Sequence, residues 1–171
     1  MQTWDAIRAR RNVRQYTGQP IAREDLERIC EAGRRAPSAG NGQPWDFVVV
    51  TDREQLRELS KVWRGGGHVA ESAATIALVA PVTDDPGARD RVQYDLGQAT
   101  MAMQIAAADL GIGTGHSAVG DQDLAREILG LPRDRYAAYL VDVGYPADRP
   151  LKPIRKPDRR PFDEVVHRGR F

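Results

Sequence analysis

The chain has one cysteine, Cys30, among its 171 residues, so no internal disulfide can form and a reducing cytosol is the default compartment. Histidine is nearly as scarce. His68, His116 and His167 are scattered and give no recognisable metal-ligand spacing. Long apolar runs are missing too: the longest, Ile76 to Val82, falls far short of the ~20 residues that span a bilayer, so no membrane association is expected. Near the N-terminus, Trp4, Asp5 and four arginines within Arg8 to Arg14 leave no apolar stretch for a signal peptide. Charge of one sign is also lacking. Twenty-five Lys and Arg face 24 Asp and Glu, a net charge of +1, which argues against a dedicated nucleic-acid binder. Neither a Walker phosphate loop nor a G-x-S-x-G nucleophile elbow is present. What is there is ordinary globular chemistry, 41% hydrophobic and 29% charged. A chain this long suits one domain, 1–171, that buries ~70% of its unfolded surface without staples.

The overall balance hides an asymmetry. Residues 151–171 carry seven basic and three acidic side chains, a net +4 that leaves −3 for residues 1–150. At the other end, Arg8, Arg10, Arg11 and Arg14 have no acidic residue among them. Chain ends often lie close together at the surface. Two arginine clusters brought together repel unless solvent or an anion separates them, and a shared phosphate suits arginine well. Two solvated basic faces are the plainer alternative.

Periodicity divides the chain into short elements. Residues 4–10 read as a helix, and Asn12 to Pro20 as extended chain. Residues 23–35 are helical, with Leu26, Ile29, Cys30 and Gly33 on one face. Phe47 to Thr51, Thr75 to Ala80 and Tyr136 to Val143 read as buried strands. Shorter helices are expected over 54–62 and from an Asp121 cap to Leu129, with Gly65 to Gly67 as a mobile turn. The longest helix, 90–110, is apolar nearly all round in its second half. Such a helix wants burial on every side, and a second subunit would supply it. Five prolines between Pro146 and Pro161 make the tail an extended strap, until Phe162 to His167.

Among the motifs, Gly111-Ile-Gly-Thr-Gly115 is a poor dinucleotide fingerprint. Its last glycine comes one position early, and it follows a helix where the fingerprint must follow a strand. It reads as a helix stop feeding a short strand, with room for a flat ligand to approach the backbone. His116 and Ser117 are adjacent, a poor placement for base and nucleophile, and His68 beside the glycine turn reads as a surface histidine. Arg10-Arg11-Asn12-Val13-Arg14 puts Arg10, Asn12 and Arg14 on one side of an extended segment and Arg11 on the other. The loop Pro37-Ser38-Ala39-Gly40-Asn41-Gly42-Gln43-Pro44-Trp45 is the most specific element: small residues admit a ligand, while Asn41 and Gln43 offer donors and acceptors. Trp45 then anchors the loop against the core.

Arg10 to Arg14, Pro37 to Trp45, Leu110 to Gly113, and Arg159-Arg160-Pro161 with Val165-Val166-His167 occur in an order that resembles the FMN-dependent nitroreductases. The resemblance implies an α+β fold with a central mixed or antiparallel sheet flanked by helices. It also implies a homodimer that exchanges the C-terminal strap and holds one FMN at each of two interface sites. Arg10, Arg11 and Asn12, with Arg159 or Arg160, would hold the FMN phosphate and ribityl chain, and Arg14 would lie near the N1–C2=O edge of the ring. Pro37, Ser38 and Ala39 would pack on the ring from the partner subunit, and Asn41 or Gln43 would contact its polar edge. Gly115, His116, Ser117 and Ala118 would pass the ring, with a backbone N–H near N5. The implied activity is NAD(P)H-dependent and ping-pong, passing electrons to a small acceptor such as a nitroaromatic or quinone, with no side-chain acid or base. Two alternatives stand beside it. Asn12 occupies the position where the flavin-destructase branch, which makes the cobalamin lower ligand, carries Asp; and a non-catalytic FMN-binding module would carry the same cradle. No Glu-Tyr-Lys lid of the deiodinase branch occurs around Trp63 to Glu71.

Overall fold

The structure, a computed structural model, describes all 171 residues. Its β-branched runs form one antiparallel sheet, β1 (Asp46–Val50), β2 (Ala74–Pro81), β3 (Gly113–Ala118) and β4 (Arg135–Gly144), in the spatial order β1-β2-β4-β3. Alternation along β2 explains why it is buried from Ala74 to Ala80. Ile76 and Leu78 face one core with Leu26, Ile29, Leu96, Met103, Val141 and Val143, while Ala77 and Val79 face a second with Leu56, Leu59, Val62 and Leu140. Each core needs a helical cover. On the first side stand α2 (Arg23–Arg34) and α5 (Pro86–Asp109); on the second stand α3 (Arg53–Leu59), α4 (Gly67–Glu71) and α6 (Gln122–Leu129). α1 (Thr3–Ala9) packs on α5.

The longest helix, expected over 90–110, begins four residues earlier, and α4 stands where the sequence suggests only a glycine turn. In α5, Asp85 accepts from the Gly87 N–H (2.9 Å) and Pro86 opens the helix where its missing N–H is harmless. Twenty-four residues make a rod of roughly 36 Å. Leu96, Ala99, Met103 and Ala107 are buried along one stripe, while Met101, Ala102, Ile105 and Ala106 on other faces are only half-buried in the single chain. Gly111 ends the helix with φ 75°: its N–H reaches Ala108 O and the Ile112 N–H reaches Ala107 O, the paired bonds of a Schellman stop. The chain then enters β3, the short strand expected after the glycine stop.

One expectation is corrected here. Residues 47–51 read as a buried strand, yet β1 is an edge strand with Asp46 and Val49 exposed and only Val50 fully buried. β-branched composition signals pairing, but it carries no information on whether one neighbour or two will be present. The tail does run as an extended strap, apart from one 3-10 turn at Phe162–Glu164, and every residue from Arg155 to Phe171 is exposed.

Candidate functional site

The arm that follows α1 is held against β3. The Val13 N–H donates to the Thr114 carbonyl (2.9 Å), and Val13 is buried. On its other side runs the segment after β4: the Thr17 N–H donates to Tyr145 O, the Ala147 N–H to Gln15 O and the Ile154 N–H to Arg8 O. These bonds bring the two basic ends of the chain together. Arg10, Arg11, Asn12 and Arg159 line one cavity of about 510 Å³, with His116 at its edge. A second cleft of about 550 Å³ shares Arg10 and His116 and continues between α5 and the sheet, past Leu96, Thr100, Gln104 and Tyr139. The result is a charged end joined to a half-apolar slot.

The five arginines of the two ends differ in what already occupies them. Arg11 donates to Asp148 Oδ1 (2.8 Å) and the Arg149 carbonyl (2.7 Å), so it straps the tail to the arm, and its guanidinium holds the Asp148 carboxyl below the usual range. Arg10 has one weak bond, from Nη1 to Gln104 Oε1 at 3.3 Å. Arg159 donates only to the neighbouring Asp158 carbonyl (2.6 Å). Arg160 is turned away and bonds to the Glu164 carbonyl (2.9 Å). Arg14 is exposed on the arm.

Beneath the crossing of arm and β3 lies a buried polar cluster that the sequence did not suggest. Asp142 pairs with Gly115 across β3 and β4 and is completely buried. Its Oδ2 accepts from Tyr16 OH (2.5 Å) and from His68 Nδ1 (2.9 Å), while Oδ1 is buried without a partner. A Cβ at position 115 would stand 2.4 Å from Asp142 Oδ2 and 2.6 Å from Val13 O, so only glycine lets arm, strand and carboxylate close together. Burial, reinforced by Asp142, raises the Tyr16 pKa well above its ordinary value and keeps the phenol protonated. His68 is therefore not a surface histidine: it is buried on α4 with its ring on Asp142. The glycines beside it shape a tight turn that begins α4 and points the ring inward.

His116 points the other way, into the cavities. Its pKa is lowered, first by burial and then by Arg10, Arg14 and His68, against an opposing pull from Asp142. Ser117 faces the opposite side of the sheet, close to Gly66, and donates to the Ala118 carbonyl (3.1 Å). Gly115 lies on Asp142, and Ala118 is half-buried at the end of β3.

The loop Pro37 to Gln43 does not reach the arginine cavity of its own chain. It docks on α5 through the Ala39 N–H, which donates to the buried Asp95 Oδ2 (3.1 Å), and is closed on itself by Ser38 Oγ, which accepts from the Gln43 N–H (2.9 Å). Asn41 and Gln43 both adopt positive φ (55° and 48°), a conformation rare outside glycine. Trp45 stacks on Phe47 with centroids 6.3 Å apart and packs on the core. Gln43 instead borders the largest groove, about 1020 Å³ between α2 and β1, lined by Ile21, Leu26, Cys30, Trp45 and Phe47. Its arginines are already paired, Arg23 with Glu27 and Arg34 with Glu31, so this groove offers little to an anion.

Sequence reasoning missed Gln104, Asp95 and Asp142. Each had a signal: a lone polar or charged residue at a core-facing position of an apolar segment, which is rarely left without a partner. No group of three or more His, Cys, Asp or Glu could hold a metal ion, and no helix is long and apolar enough to cross a membrane.

Sheet, flanking helices and arginine-lined cavity define an α+β protein whose site is chemically suited to an elongated anion. The profile of the nitroreductase family matches residues 7–81 and 62–145. A protein of Archaeoglobus fulgidus, provisionally named NADH dehydrogenase/NAD(P)H nitroreductase, is 34% identical over 169 residues, 96% of each chain. The FMN reductase (NAD(P)H) of Bacillus subtilis is 29% identical, over 86% of this chain and 67% of that protein. The solved NADPH:FMN oxidoreductase of Vibrio harveyi, complexed with NAD+, superposes with a TM-score of 0.85 at 25% identity, over 97% of this chain and 76% of that one. The chain belongs to the nitroreductase family.

Proposed function

We propose that this protein is an NAD(P)H-dependent FMN oxidoreductase, acting as a cytosolic homodimer in which residues 1–171 form a single FMN-binding unit. The observation that carries this reading is the junction of the arginine cavity with the α5 cleft, a charged compartment opening into a half-apolar one. That donor set fits a flavin mononucleotide. Arg10, Asn12 and Arg159 would hold its phosphate with charge-assisted bonds, and Arg11 would keep the tail in place while they do so. Thr100, Gln104 and Tyr139 would border the rest of the molecule. Arg14, exposed beside the cleft, would face the N1–C2=O edge.

Bound FMN supplies two-electron chemistry, accepting hydride from NAD(P)H and passing the electrons to a small acceptor such as a nitroaromatic or quinone. The chain's own residues bind and orient it, and no side chain is assigned as acid or base. The loop Pro37–Gln43, held on α5 by Asp95 and remote from its own cavity, would serve the partner's flavin. The α2–β1 groove, beside an open sheet edge, would receive the partner's strap.

The purified chain, reconstituted with FMN and freed of excess, should show a bound flavin spectrum and consume NAD(P)H steadily when a quinone is added. Bound flavin without turnover would make it a storage module, and a colourless protein would reject the cofactor altogether.

A further inference from the structure

Gln93 is the first α5 residue on the cleft, and its Nε2 donates to the hydroxyl of Tyr136 (2.8 Å). Tyr136 lines a further cavity, of about 400 Å³, between α5, α6 and the end of β2. The wall of that cavity carries two guanidiniums, Arg89 from α5 and Arg126 from α6, with Thr83 and Gln122 beside them and no carboxylate. This is unusual for the chain. Arg23, Arg34, Arg57 and Arg135 all face acidic partners at the surface.

The donors of this wall are under-used. Arg89 spends one bond on the Thr83 carbonyl (3.2 Å) and meets no carboxylate. Arg126 donates from Nη1 to Asp123 Oδ1 (3.0 Å), but the Asp123 side chain is 99% exposed, and so solvated a partner offsets little of the charge. Arg126 Nε is buried and has no acceptor. Buried donors of a charged group are rarely left unpaired, so its own chain satisfies this guanidinium only in part. The Tyr136 oxygen accepts from Gln93, which leaves the phenolic proton to give. Two cations and a phenol around one cavity call for an oxyanion, and the planar fork of arginine matches a phosphate group best.

We propose that this pocket is a second phosphate-binding site, in which Arg89, Arg126 and Tyr136 hold a phosphate group of a small molecule. It shares no lining residue with the arginine cavity of the arm, so it does not depend on the flavin reading. Arg89 and Gln104 stand fifteen positions apart on α5, roughly 22 Å along the helix. Gln104 meets Arg10 of the arm, so the two cationic sites bracket the cleft, and the Gln93–Tyr136 bond joins the second site to it. That placement suits a phosphate carried by a nucleotide electron donor as it reaches the cleft. A free phosphate ester presents the same chemistry.

The test is a titration of inorganic phosphate into the full flavin-free chain at fixed pH and ionic strength, read by proton–nitrogen NMR. The backbone signals of Thr83, Arg89 and Tyr136 and the Arg126 Nε–H should move together and saturate. Arg126→Gln should weaken this binding about tenfold or more, the loss expected for one charge-assisted contact. Arg89→Gln serves in its place if that variant does not fold. Arg159→Ala, a change confined to the arm cavity, should leave the same signals and their saturation unaltered. An equal response to chloride, or one that never saturates, reduces the pocket to a screened basic patch and overturns the proposal. Loss of the response in Arg159→Ala assigns the phosphate to the arm and overturns it too. Once the site is shown, NADPH and NADH identify the source. Movement of these signals by NADPH alone assigns the 2′-phosphate of the donor, movement by both assigns its pyrophosphate, and movement by neither assigns a free phosphate ester. Failure to bind FMN overturns the cofactor reading and leaves this site standing.

Discussion

Tyr16 has one hydroxyl proton and three acceptors within reach, Asp142 Oδ2 at 2.5 Å, Val13 O at 2.9 Å and the Asp142 carbonyl at 3.5 Å. The carboxylate is fully buried, and its other oxygen has no partner, so the phenol is one of only two groups that compensate it. Tyr16→Phe keeps the ring that packs on Gly144 and removes that donor. A hydrogen bond to a charged group is worth about 1.5–3 kcal/mol, so the urea midpoint should fall by a corresponding amount. An unchanged midpoint would show that this bond makes no net contribution to stability. His116 gives a pH-dependent counterpart. Its folded pKa lies below the ordinary value, so as pH falls the unfolded chain is protonated first. Stability of the flavin-free chain is therefore full above about 6.5, declines as pH drops toward the folded value, and then levels. His116→Gln should remove this part of the decline in a thermal melt series from pH 8 to 5; parallel curves for both proteins would refute it. Both predictions concern residues whose partners are remote in sequence. Asp142 is bonded to residues 126 and 74 positions away, and nothing in the order of the residues pairs them. The isolated charge in an apolar strand could be read, but not its partner.

At the scale of elements, the arm and the tail are legible because their chemistry is local. Proline density keeps the tail extended, and clustered arginines at both ends asked for a shared anion; the antiparallel bonds between residues 8–17 and 145–154 put them together. The sequence could not choose between Arg159 and Arg160, since adjacent residues of a strap differ only in which way they turn. The fold turns Arg159 to the cavity and ties Arg160 to Glu164. Arg159→Ala should thus weaken FMN about tenfold or more and barely affect riboflavin, a loss in line with ~1.5–3 kcal/mol per charge-assisted contact. Arg160→Ala should leave both affinities near native. Equal losses for the two flavins on replacing Arg159 would mean that the tail supports the site without touching the phosphate. The sheet order was beyond such reading: β1 resembles β2 in composition, and only tertiary pairing leaves β1 at the edge.

At the scale of the molecule, the single chain leaves its tail without buried contacts. Nothing from Arg155 to Phe171 is buried, and Phe162, Val165 and Val166 stand 65%, 50% and 42% exposed. Ordering backbone costs about 1–2 kcal/mol per residue, which a strap without buried contacts cannot offset. The same chain carries a groove with an apolar lining between α2 and β1, an unpaired edge at β1, and half-buried methyl surface at Met101, Ala102, Ile105 and Ala106 of α5. Tail and groove are complementary in kind and unmatched within one copy, so each is expected to be filled by a second. Covering the three tail side chains alone is worth about 1.5–3 kcal/mol apiece when complete. Light scattering at micromolar concentration should therefore give twice the 19.0 kDa of the chain. Deleting residues 162–171, which leaves Arg159 in place, should shift that equilibrium toward monomer and weaken FMN binding, because on the proposed reading each flavin would lose the neighbouring copy's loop. A native chain that runs at 19.0 kDa rejects the dimer. A dimer that survives the deletion undiminished assigns its stability to the α5 surface instead of the strap.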